Sequence, residues 1–276
     1  MTFPSLRTAS LHAGAICLAW FAASSASAQS LSAAPPDGGG GDGDGFTILG
    51  NATNVTHWGL GAGVGAESSP YRGDGAKVSP IPLLYFDDKW VHLLGTTVDL
   101  KVGQWRAVSV ALRARFGLFD GYSGSDAPIL NGMQDRKGAL WYGPALAWRS
   151  AFGTLSGDFL LGGNKGEQAK LEFSRTFRTG RFSIEPHVGA QWLGHTYADY
   201  YYGVMPSEAR AWRPAYTAGS TWQYSLGSRF TYALDAHQRV LLDLGVTRLG
   251  GSVADSPLVG RRYVPEARIG YLYQFK

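Results

Sequence analysis

The stretch "RFSIEPHVGAQWLG" (181–194) places Phe182, Ile184, Pro186, Val188, Ala190 and Trp192 at one parity and Ser183, Glu185, His187, Gly189 and Gln191 at the other. A strand turns successive side chains to opposite faces, so this segment has one apolar wall and one polar wall. The same alternation runs through "VSVALRAR" (108–115), where Val108, Val110, Leu112 and Ala114 oppose Ser109, Ala111, Arg113 and Arg115. It recurs in "AKLEFSRT" (169–176), with Leu171 and Phe173 set against Lys170, Glu172, Ser174 and Thr176. In a soluble sandwich the polar face meets solvent and the apolar face forms the core; in an outer-membrane barrel the apolar face meets lipid and the polar face lines the lumen.

Three features favour the barrel. The polar faces are rich in glycine and carry both signs of charge, which suits a narrow wet interior. Rings with an apolar body and a polar tip collect at the headgroup level, and Trp58, Trp90, Trp105, Trp141, Trp148, Trp192 and Trp222 stand near strand ends. The last strand, "EARIGYLYQF" (266–275), sets Ile269, Tyr271, Tyr273 and Phe275 on one side. That alternating aromatic end resembles the assembly signal of bacterial outer-membrane barrels, here followed by Lys276.

Residues 1–28 read as a signal peptide: Arg7 supplies the positive start, "AGAICLAWFAA" (13–23) the apolar core and "ASA" (26–28) the cleavage site. Cleavage near Ala28 leaves 276 − 28 = 248 residues and removes Cys17, the sole cysteine, so the mature chain forms no disulfide and no thiolate site. Removing Arg7 leaves 24 Lys and Arg against 21 Asp and Glu, a balance of +3 that is too small to argue for nucleic acid. Residues 29–45, "QSLSAAPPDGGGGDGDG", read as a flexible tether.

From 46 to 276 the pattern implies an all-β, transmembrane, antiparallel up-and-down barrel. Strands fall near 56–65, 76–86, 89–100, 104–116, 139–150, 153–162, 167–177, 181–193, 221–235, 238–249 and 264–275. That makes eleven where an even number is expected. Either "FTILGNATNV" (46–55) supplies a twelfth or the N-terminal segment threads the lumen; twelve strands are preferred, and ten stay open. The turns "KVG" (101–103), "AFG" (151–153), "RTG" (178–180) and "AHQ" (236–238) should be periplasmic, and the long segments 117–138, 194–216 and 250–263 external.

With this layout the chain resembles the MipA/OmpV family of outer-membrane proteins, the MltA-interacting proteins. The resemblance rests on "SPYRGDGAKVSPIPLLYF" (69–86), on "YYYGVMPSEA" (200–209) with "RPAYTAG" (213–219), and on "ADSPLVGR" (254–261) before "GYLYQF" (270–275). The motif residues are Tyr200, Tyr201, Tyr202, Gly203, Asp255, Ser256 and Pro257. The resemblance implies an outer-membrane scaffold that docks a periplasmic lytic transglycosylase and, through it, a murein synthase. A small-solute pore or a surface receptor or adhesin is the alternative.

The three adjacent tyrosines are expected in an external segment, as an interfacial girdle or as a platform for sugars. Ser183, Glu185 and His187 share a polar face, but neighbours two apart are separated by roughly 6.5–7 Å, too far for a nucleophile to reach its base. No enzyme activity and no cofactor is implied. His57, His92, His187, His195 and His237 show no ligand spacing for a metal. Arg113, Arg115, Lys170, Glu172 and Glu185 are expected to neutralise one another across the lumen.

Overall fold

The computed structural model describes residues 47–48, 55–117 and 120–275. The expected leader (1–28) and tether (29–45) lie outside the described residues. The chain forms a closed, antiparallel, twelve-stranded barrel. In chain order the strands are β1 (His57–Ser68), β2 (Ala76–Asp87), β3 (Val91–Leu94), β4 (Thr97–Trp105), β5 (Val108–Phe116) and β6 (Leu140–Ser150). They continue as β7 (Gly153–Leu161), β8 (Glu167–Ser174), β9 (Phe182–Leu193), β10 (Thr221–Ala233), β11 (Gln238–Arg248) and β12 (Tyr263–Gln274). Each strand pairs with its chain neighbours, and β12 closes on β1 from Glu266 opposite Glu67 to Gln274 opposite Gly59. Closure leaves no free edge between the first and the last strand. No helix among the described residues is long and apolar enough to cross a membrane.

The sequence expectation of twelve strands holds, but the source of the twelfth differs. Segment 89–100 is two strands, β3 and β4, folded back on each other at Gly95–Thr96. Gly95 has φ 61, a left-handed conformation that glycine adopts without steric cost. Thr47–Ile48 adds only a short rung outside the ring, opposite Gln104 and Gly103. "KVG" is not a turn: the register slips between Lys101 and Gly103 within β4, a β-bulge, and the chain reverses at Trp105–Val108, with Arg106 at φ 50.

Because β3 is short, β2 pairs with it only from Tyr85 to Asp87, and Gly95 N–H donates to the Leu84 carbonyl at 2.9 Å. Leu84 therefore points its backbone groups at that edge, as do the residues of like parity, which include Pro80 and Pro82. No ladder pairing covers this edge above Leu84 among the described residues. Proline has no N–H to leave unpaired, so "SPIP" blunts the edge chemically.

Outward positions are apolar and exposed along every long strand, as with Leu60, Val64, Leu112, Leu146, Val188, Leu226 and Ile269. Trp58, Trp90, Trp105, Trp148 and Trp222 stand outward as the girdle reading requires. Trp141 does not: it is fully buried, points inward and donates from Nε1 to Asp120 Oδ2 at 3.0 Å.

Candidate functional site: a filled lumen, an external cap and a basic rim

The interior is built in layers. Near the short turns, inward residues Ile81, Leu83, Tyr85 and Leu272 pack together with Leu94 and Leu241 into an apolar floor. Above them lie the charges. Arg229, 2% exposed, donates from Nη1 to Glu185 Oε1 at 2.5 Å and from Nε to Asp243 Oδ2 at 3.1 Å. Glu185 also accepts from Thr176 Oγ1 at 2.5 Å. Arg113 grips Asp99 through Nε and Nη2, both at 2.8 Å, and Asp158 through Nη1 at 2.7 Å. Lys170 Nζ stands 2.8 Å from Glu172 Oε2.

The structure thus pairs only Lys170 with Glu172 within the set picked out in the sequence. Arg113 and Glu185 take partners from Asp99, Asp158 and Arg229, which sequence reasoning missed although each shares the inward parity of its strand. Arg115 has no ion-pair partner among the described residues. Ser183 is not brought to His187; Glu185 between them is held by Arg229 and Thr176, and His187 Nε2 lies 3.5 Å from Asp243 Oδ1. Among the described residues no His, Cys, Asp and Glu cluster has the geometry of a metal site.

Over the other end sits a cap. Helix α1 (His195–Tyr202) follows β9, and a helical turn α2 (Gly251–Ala254) follows β11. Tyr71, Tyr122, Leu130, Met133, Tyr197, Tyr201, Tyr202, Val253, Leu258 and Val259 form its core. The tyrosine triplet is therefore not a girdle: Tyr201 and Tyr202 are buried in the cap, and Tyr200 flanks it under Arg136 and Lys165, 5.6 and 5.5 Å from its ring. The misreading has a simple cause, since the same amphipathic rings serve a headgroup belt and a wet-topped core.

The three sequence motifs meet here. Ser256 Oγ donates to the Tyr202 carbonyl at 2.6 Å, Tyr71 Oη to the Tyr201 carbonyl at 3.3 Å, and Arg72 N–H to the Leu258 carbonyl at 2.8 Å. Gly203 N–H caps α1 by donating to the Asp199 carbonyl, while Asp199 Oδ1 accepts from Ala218 N–H at 2.9 Å. Asp255 stays at the surface, bound to Arg262 Nη2 at 2.7 Å, one residue before the buried Ser256 and two before Pro257. Arg136 Nη2 reaches both Glu208 oxygens at 3.1 and 2.9 Å, and fully buried Arg213 donates to the Glu208, Ile129 and Asn131 carbonyls. Burial raises the hydroxyls of Tyr71, Tyr197, Tyr201 and Tyr202 above the ordinary phenol range.

Between cap and charges lies a cavity of about 80 Å³. Tyr197 and Tyr202 reach it from the cap, and Glu67, Arg115, Gln168, Lys170, Gln191, Gln223 and Glu266 from the strands.

At the opposite end the turns are short. Arg106, Arg149, Arg175, Arg178 and Arg181 are all exposed there, on neighbouring strands and turns from β4 to β9. They alternate with exposed Trp105, Trp148, Phe152, Phe177 and Phe182. Arg106 lies 6.0 Å over Trp105 and Arg175 5.1 Å over Phe177. The stretches "WRA", "RSAF" and "RTFRTGRF" contain no acid, so this arc is uniformly basic. Tyr273 and Phe275 lie outward on the far side of the same rim; Phe275 stacks on Trp58 with ring centroids 4.2 Å apart, and Tyr271 Oη donates to Gln238 Oε1 at 2.7 Å.

The family model for MltA-interacting protein MipA matches residues 60–275, from within β1 through β12 and including the cap. The chain belongs to this family. MipA relatives include the MltA-interacting protein of Escherichia coli strain K12, 26% identical over 239 residues, which spans 83% of this chain and 96% of that protein. Outer membrane protein OmpV of Vibrio cholerae is 30% identical over 141 residues, 50% of this chain and 55% of its own length. Among solved structures, the COG4313 outer membrane channel from Pseudomonas putida F1 covers 82% of this chain and 98% of its own at 14% identity and a TM-score of 0.40, a level at which no activity is transferred. As a MipA member and a closed barrel, the protein resides in the outer membrane. By the rule that short turns are periplasmic and long loops external, the cap faces outward and the basic arc faces the periplasm.

Proposed function

We propose that this MipA-family barrel is a non-conducting docking protein that holds a periplasmic lytic transglycosylase, and through it a murein synthase, at the outer membrane. The observation that carries the reading is the periplasmic arc of Arg106, Arg149, Arg175, Arg178 and Arg181 interleaved with aromatic rings. Arginine and aromatic residues are enriched at protein interfaces and dominate their energetics. An acidic face on the partner is the complement, giving orientation and a fast encounter. Of the turn residues expected to face the periplasm, Lys101 is instead inside a strand, bound to Asp87 at 2.7 Å, whereas Phe152 and Thr179 belong to the arc. We assign residues 29–45 a share of the docking surface, and Thr47–Ile48 pairs beside the arc. A stable interface of some 1,200–2,000 Å² needs more than tight turns alone.

An apolar floor and buried ion pairs occupy the barrel interior, and this filling supports docking over a pore. The test is twofold. The transglycosylase should co-purify with the barrel from gently solubilised envelopes and be lost when the arc arginines are replaced by serine. In planar bilayers the pure protein should pass little current. Large steady wild-type channels with no co-purifying murein enzyme would overturn the proposal.

A further inference from the structure

On the outer wall of β11 the lipid-facing parity runs through Val240, Leu242, Leu244 and Val246 and then, at the cap end, reaches an exposed arginine, Arg248. Ladder register sets Tyr224 of β10 on one side of it and Tyr263 of β12 on the other, 51% and 59% exposed. Residues directly opposite across a ladder stand about 4.5–5.5 Å apart at Cβ, so the guanidinium rises between two rings. The next outward row toward the membrane centre is Leu226, Val246 and Pro265, apolar throughout. A cation in an aromatic row directly above an apolar strip is the complement of an amphiphile with an anionic head.

Further arginines gather at the same corner. Arg261 is exposed two residues before Tyr263, at most about 7 Å away along the chain. Exposed Arg72 comes in from the β1–β2 connection: Gly260 N–H donates to the Pro70 carbonyl at 2.8 Å, and a Cβ at Gly260 would stand 3.0 Å from Arg72 Cα. The acids of these segments are already engaged, Asp255 by Arg262 at 2.7 Å and Asp74 by Lys77 at 3.3 Å. Neither Arg248 nor Arg261 has an ion-pair partner among the described residues.

We propose that this corner binds a lipid of the outer leaflet through its phosphate, with Arg248 and Arg261 on the phosphate oxygens, Arg72 adding charge, and the acyl chains lying over Leu226, Val246 and Leu244. Guanidinium forks match phosphate oxygens two at a time, and a phosphate offers acceptors to more than one fork, whereas a carboxylate is satisfied by one. The flanking tyrosines mark headgroup depth, and the cap end is the external one, which selects the outer leaflet.

The probes are lipid A (an acylated disaccharide bearing two phosphates), its dephosphorylated form, and glucose 1-phosphate as a head without chains. Each is titrated against the full detergent-solubilised barrel by native mass spectrometry. Lipid A should bind saturably, and the other two at least tenfold more weakly. Arg248→Gln should weaken lipid A at least tenfold, the loss expected of hydrogen bonds to a charged group. Arg248→Lys should fall between the two, because it keeps the charge and loses the fork. Arg210→Gln removes an exposed cap arginine that donates to the Ser207 and Ala209 carbonyls and should leave lipid A affinity within twofold. Heat-modified gel mobility verifies that each variant is folded. Equal binding of the dephosphorylated lipid would remove the phosphate contact, and glucose 1-phosphate binding as tightly as lipid A would make this a soluble-phosphate site. Equal losses in Arg210→Gln and Arg248→Gln would reduce it to diffuse surface charge. Each of these results, or unchanged lipid A affinity in Arg248→Gln, overturns the proposal.

Discussion

Arg229 gives the strongest single prediction on the charged lumen. Its guanidinium is 2% exposed and bridges Glu185 at 2.5 Å and Asp243 at 3.1 Å. Arg229→Met keeps the stem volume and removes the charge, which strands two buried carboxylates. Breaking a buried ion pair by deleting one partner costs about 3–5 kcal/mol, because the remaining charge is left desolvated. Two pairs share one guanidinium here, so the costs do not simply add, and Thr176 continues to serve Glu185. The expected loss is therefore about 3–5 kcal/mol for the single variant, read as the urea midpoint shift of the barrel refolded in lipid vesicles. Neutralising the stranded acids in Arg229→Met/Glu185→Gln/Asp243→Asn should recover most of it, since replacing a whole buried network is often close to neutral. A midpoint for Arg229→Met within error of wild type, or a triple variant no better than the single, would refute the reasoning that these ion pairs hold the interior.

Three further outcomes are expected. A Cβ at Gly61 would stand 2.1 Å from the Tyr271 carbonyl oxygen and 2.9 Å from Leu272 Cα across the β1–β12 seam, so Gly61→Val should destabilise closure by at least about 1–3 kcal/mol and deplete the heat-modifiable band. We propose that Phe275 acts in assembly through its stack on Trp58; Phe275→Ala should lower the amount of barrel recovered in the outer membrane, while deleting Lys276 alone should leave it unchanged. Burial raises the folded-state pKa of Tyr71, Tyr197, Tyr201 and Tyr202, whereas unfolded tyrosine titrates near ~10. Their contribution to cap stability is thus complete below about pH 10 and is lost as pH rises through the folded values. Ultraviolet phenolate absorbance should show these rings ionising late and together with loosening of the cap, and simultaneous titration of all tyrosines near pH 10 with the cap intact would contradict the burial argument.

The barrel was legible because its chemistry is periodic: Leu171, Phe173, Val188 and Trp192 face lipid at the parity that alternation assigns them. The errors arose where a local signal has two meanings. "KVG" has the glycine of a turn but makes a bulge, and "LGTT" reverses the chain inside a run that reads as one continuous strand. The tyrosine triplet failed for the same reason, since periodicity along the chain says nothing of loops that fold over the mouth of a barrel. Ion partners such as Arg113 with Asp158 are 45 residues apart, and the cavity's glutamines lie on three different strands. Inward parity was readable for each; which inward residues stand level with one another depends on register, and register is set by the turns that were misread.

The most direct measurement is binding of a purified periplasmic lytic transglycosylase to the barrel in nanodiscs, wild type against a variant with Arg106, Arg149, Arg175, Arg178 and Arg181 changed to serine. The account predicts saturable wild-type binding that weakens as salt screens the basic arc and a marked loss of affinity in the variant. Absence of binding by the wild type, or equal binding by the variant at every salt concentration, would contradict it.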